Sequence, residues 1–119
     1  MPNEIVINND SILETIKKQL GITYDYDVFD QDIIIHINTV LNNLIQMGVG
    51  PQDGYMITDA RNTWNEFIAD SKKLQQVKSY VYLKVKLLFD PPQSSALLEA
   101  YNKTAYELEY RLYTECGGY

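Results

Sequence analysis

Histidine, cysteine and tryptophan each occur once in this 119-residue chain. A single cysteine, Cys116, cannot form an internal bridge, so a disulfide framework and a cysteine-based zinc site are both excluded. A single histidine, His36, would have to serve every histidine-containing triad or metal site, and it sits in an apolar helical stretch where a structural role is the simpler reading. Glycine and proline are scarce too, at six and four residues, which excludes collagen-like and low-complexity character. No run reaches the roughly 18 apolar residues that a membrane-spanning helix needs. The opening Met1-Pro2-Asn3-Glu4 lacks the basic segment of a secretory signal, and the expectation is a soluble intracellular protein. Bases are outnumbered: ten Lys and Arg stand against sixteen Asp and Glu, for a net charge of −6. Such a balance argues against adhesion to DNA or anionic membranes, which depends on clustered bases that neutralise phosphates. Gly-x-Gly-x-x-Gly, a phosphate-binding Gly-Lys-Ser/Thr and a nucleophile elbow are missing.

What the chain does contain is 45% hydrophobic residues, enough for one core at this length, and ten tyrosines against three phenylalanines. Tyrosine joins an apolar ring to a polar tip, so an excess suits surfaces that are half buried or that await a partner.

Helical periodicity dominates. Ser11 and Glu14 have capping-box spacing ahead of Ile12, Leu13, Ile16 and Leu20, and Gly21 closes this first helix. Residues 1–10 form an N-terminal arm whose conformation the sequence leaves open. Asp25, Asp27, Asp30 and Asp32 precede a second helix marked by Phe29, Ile33, Ile37, Val40, Leu41, Leu44 and Met47, with Asp27 as its expected N-cap. The four acids also evoke a calcium loop, but Asp30 stands where that loop needs glycine, so capping explains them better. Residues 48–58 are dense in Gly and Pro and form the longest loop.

A short helix or turn is expected around Trp64 to Ile68, with Trp64 and Phe67 as core anchors. Lys72 to Phe89 fits a helix stripe but also alternates like a strand at Val81, Leu83, Val85 and Leu87. Its length favours a helix, the central and most buried one. After Asp90-Pro91-Pro92, Ser94 or Ser95 caps a last helix with an inner stripe of Leu97, Tyr101, Ala105, Leu108 and Leu112. Tyr106, Tyr110 and Tyr113 then form a row off that stripe. Cys116-Gly117-Gly118-Tyr119 reads as a flexible tail. The expected fold is all-α, a single domain over residues 1–119: a small bundle of about four helices with a long Gly/Pro loop between helices two and three.

Charge is unevenly spread: residues 1–59 carry −7, residues 60–90 carry +3 and residues 91–119 carry −2. Either a basic helix lies beside an acidic helix start within the subunit, or the two poles meet between subunits of a closed ring. No catalytic, metal or cofactor-binding residue stands out, and Cys116 beside Glu115 has the character of a passive thiol.

The stretches Thr63-Trp64-Asn65-Glu66-Phe67-Ile68, Val77 through Leu88-Phe89-Asp90-Pro91-Pro92, Ser94-Ser95 and Glu107-Leu108-Glu109-Tyr110-Arg111-Leu112 together resemble the head-to-tail connector (adaptor) proteins of long-tailed bacteriophages and prophages. The resemblance spans most of the chain and is densest at the Leu-Leu-Phe-Asp-Pro-Pro turn. It implies a virion protein that forms a ring, commonly of twelve copies, below the portal, with DNA passing through the centre. The implied partners are the portal on one side and a stopper or tail-completion protein on the other. Tyr106, Tyr110, Tyr113 and Tyr119 are the candidates for partner contact. Lys72, Lys73, Lys78, Lys84 and Lys86 are the candidates for contact between adjacent copies. A small regulatory domain that binds one protein through its tyrosine face is the alternative.

Overall fold

The computed structural model describes residues 10–116. Positions 1–9 of the N-terminal arm, and residues 117–119 with Tyr119, lie outside the described residues. Five helices follow in order: α1 (Ile12–Gln19), α2 (Asp30–Gln46), the single turn α3 (Trp64–Phe67), α4 (Ser71–Phe89) and α5 (Ser95–Cys116). The all-α expectation holds. The four long patterns are helices, and the Trp64 segment is a turn of helix between them.

The Ser11 hydroxyl accepts from the Glu14 N–H at 3.2 Å, supplying the cap that starts α1. The helix leaves through Gly21, at φ 84°, a left-handed conformation in which a side chain is strained. The starts of α1 and α3 are laced together. Ile12 N–H donates to Asn62 O at 3.1 Å and Trp64 N–H to Asp10 O at 2.9 Å, around one antiparallel bridge between Ser11 and Thr63. Trp64 is fully buried, and its indole N–H donates to Thr15 Oγ1 at 2.8 Å. The anchor role of Trp64 and Phe67 is thereby realised.

The start of α2 differs from expectation. Its N-cap is Phe29 with no side-chain capping bond, and Asp27 instead closes a backbone turn, its carbonyl accepting from Asp30 N–H at 3.2 Å. The reason lies in Lys17. Its ammonium, buried to 1% exposure, sits 2.8 Å from Asp30 Oδ1 and donates to Tyr24 O at 3.2 Å. This ion pair sets where α2 begins.

The loop after α2 is pinned rather than loose. Asn38 clasps Ile57 from both sides, Nδ2 donating to its carbonyl at 3.0 Å and Oδ1 accepting from its N–H at 2.7 Å, while Val49 and Ile57 plug into the core.

α4 is the central helix, packed against α1, α2 and α5. It is not the most buried. Val77, Tyr80, Val81 and Val85 are its buried residues, whereas α2 buries Ile33, Ile34, Ile37, Val40, Leu41 and Leu44. Apolar residues around α4 spread over several faces, and Leu74 and Phe89 toward its ends are only partly buried. α5 lies along α4, capped by Ser94, whose hydroxyl accepts from Leu97 N–H at 3.3 Å. Here too the expectation needs one correction: Leu97 is 48% exposed. The inner line is set by the buried Ala105 and Leu112, seven residues apart. One further step of seven leads to Leu98, so Leu97 is turned about 100° away. α5 runs through Cys116, one residue past the expected end.

Candidate assembly interface

Because α5 meets the body through one stripe, its remaining faces are open. Tyr106, Tyr110 and Tyr113 are 70%, 64% and 41% exposed, off the core stripe as their spacing predicts. Large rings left in water on one helix face form an exposed aromatic row, the kind of patch that suits an interaction surface. They do not stand alone. Glu109 occupies the same face, three residues after Tyr106, and Met47 at the end of α2 forms the facing wall. Together these residues line a groove of about 350 Å³. Sequence reading missed Met47 and Glu109, because Met47 is far away in the chain and Glu109 reads as one more surface acid.

Glu109 ties the groove to the core. Its Oε2 accepts from the buried Tyr80 hydroxyl at 2.9 Å. Burial, reinforced by this bond and by the carboxylate charge, pushes the Tyr80 hydroxyl above its ordinary range, so it stays a neutral donor. Farther along, Lys73 Nζ pairs with Glu115 at 2.9 Å and holds the end of α5 to the start of α4. The hydrogen bond from Lys73 holds the Glu115 carboxyl below the usual glutamate range.

The five lysines of α4 do not form one free face. Lys73 is engaged with Glu115, Lys86 pairs with Asp90 at 3.0 Å, and the Lys78 ammonium lies 5.8 Å from the Trp64 ring centroid. Lys72 is exposed and Lys84 half-buried, and neither has an ion-pair partner among the described residues.

A second open surface lies at the opposite end of α2. Tyr24, Tyr26, Val28 and Phe29 are exposed amid Asp25, Asp27 and Asp32. This lobe is held by Lys17 and by edge-on contacts of Phe29 with Tyr26 and Phe89, at 5.9 and 5.4 Å between centroids. His36 packs edge-on to the same Phe89 ring at 6.3 Å. Among the described residues no group of His, Cys, Asp and Glu could hold a metal ion, and no helix is long and apolar enough to cross a membrane.

The geometry is that of a small helical body with two exposed aromatic surfaces and a last helix packed along one stripe. The chain belongs to the family described as "Phage connector protein", whose profile matches residues 12–118. This is a structural family of bacteriophage head-to-tail connection, and the chain is by that membership a component of the phage particle. No curated protein and no solved structure gives a significant match.

Proposed function

We propose that this chain is the subunit of a ring of twelve copies that sits beneath the portal and carries the stopper or tail-completion protein on its other side. The genome passes through the centre without sequence-specific contact. The work is shape and adhesion rather than bond-making. The observation that carries this reading is the family match over residues 12–118, on a fold whose α5 leaves three tyrosines open. The net charge of −6 supports it as well: an acidic wall does not grip DNA that must slide past. Assembly takes place in the host cytoplasm, and the product resides at the head-tail interface.

Within the ring, Tyr106, Tyr110 and Tyr113 meet a neighbouring protein and Tyr119 extends the same contact. The lysines of α4 serve the joint between copies, with Lys72 and Lys84 the members that have charge to spare. Co-sedimentation with purified portal tests the tyrosine face. The doubly substituted Tyr110→Ser, Tyr113→Ser chain should keep its helical circular dichroism, since both rings are exposed, and lose the portal. Undiminished co-sedimentation would reject this face.

A further inference from the structure

The groove on α5 carries more information than its exposure. Its walls are aromatic and thioether: Tyr106, Tyr110 and Tyr113 on one side and Met47 on the other. In the same lining stands Glu109, half-buried, with the neutral Tyr80 hydroxyl on one oxygen and no ion pair among the described residues. A half-buried glutamate whose side-chain partner among the described residues is a phenol has no counter-charge beside it, and a positive group is what complements it. Tyrosine faces attract cations through their ring quadrupoles, and the attraction grows as the site is desolvated. Rings and carboxylate thus ask for the same thing, a positive group with a flat or apolar body.

We propose that this groove is a cation-accepting cleft that takes an arginine side chain from a docking protein. Arginine fits better than lysine because its guanidinium is planar, stacks on aromatic faces and gives up water more readily than an ammonium, while its fork still reaches a carboxylate. The chain's own two arginines are Arg61, in a surface pair with Asp59, Nη2 to Oδ2 at 2.7 Å and Nε to Oδ1 at 3.2 Å, and the exposed Arg111 on α5, and a second copy as donor is an outcome of the test below. The inference rests on the reading of the α5 tyrosines as a partner-facing surface, and adds what the partner must present.

The test is a nuclear magnetic resonance titration of the full chain with N-acetyl-arginine methylamide, set beside the isosteric neutral citrulline derivative. The Met47 methyl and the ring signals of Tyr106, Tyr110 and Tyr113 should move with arginine, and citrulline should bind about fivefold more weakly. Glu109→Gln, which can still accept from Tyr80, should lower arginine affinity toward that of citrulline and leave citrulline unaffected. Tyr110→Leu should weaken arginine binding with no change in helicity. Equal binding of the two probes, shifts away from the groove, no shift at all, or an unaltered Glu109→Gln titration would each overturn the proposal. So would concentration-dependent broadening of the groove signals in the chain alone, which would make a second copy the occupant. Failure to bind the portal with an intact arginine response would count against the ring and not the cleft.

Discussion

Lys17 ties three parts of the chain together through one side chain. Its ammonium is buried between the end of α1, the Tyr24 carbonyl and the Asp30 carboxylate. Removing one member of such a pair leaves the other withdrawn from water without its counter-charge, and Asp30 is only 26% exposed. Lys17→Ala should therefore cost about 3 kcal/mol in urea unfolding, the lower end for buried pairs because Asp30 can still reach some water. A loss below that of a typical surface lysine would contradict the assigned role. Gly50 offers a second single-residue check. It sits at φ 94°, and a Cβ there would lie 2.6 Å from Phe67 Cζ, a buried ring with little room to move. Gly50→Ala should lower stability by about 2 kcal/mol. Gly54→Ala is the control, with φ 108° but nothing within 4 Å of its Cβ, and should cost about 1 kcal/mol from backbone strain alone.

Among the elements, α5 packs against α4 along one stripe. Its C-terminal end is tied to α4 by the pair between Lys73 and Glu115, whose carboxyl is held below the usual glutamate range by the lysine. A carboxylate with a lowered folded-state pKa contributes stability above its unfolded value of 4.5, and that contribution is lost as pH falls through the lower folded value. Hydrogen exchange should accordingly show the last turns of α5 opening more readily below that range, and Lys73→Gln should flatten the dependence. An exchange profile unaffected by acid would place the hold on α5 elsewhere. The same helix shows what sequence can reveal. Its existence, its serine cap and its open tyrosines follow from local spacing, which a helix obeys wherever it packs. Which residues enter the stripe depends on the face α4 presents, and Ala105 and Leu112 are buried there while Leu97 is not. The start of α2 was hidden for a related reason: Asp27 has the chemistry of a cap, but the position of Asp30 is decided by Lys17 on another helix. Met47 and Glu109 belong to one groove only because α2 ends beside the middle of α5.

For the molecule as a whole, extents of 48 × 36 × 22 Å describe a flat body, and its exposed aromatic surfaces lie at the two ends of α2. Ring closure needs two different faces on each copy that fit one another. Lys72 and Lys84, α4 lysines with no ion-pair partner among the described residues, can meet the acidic face of a neighbour. Lys72→Glu with Lys84→Glu should then weaken the joint between copies while leaving the subunit folded, and high salt should partly reproduce the effect in the unaltered protein. A collar indifferent to both would remove charge from the account of that joint. The most direct measurement of the central claim is an electron cryomicroscopy reconstruction of the full chain mixed with the portal of its own phage. The account predicts a symmetric collar of this helical subunit seated below the portal ring, with α5 at a contact between proteins. Bare portal rings beside a chain that stays free in solution would contradict it.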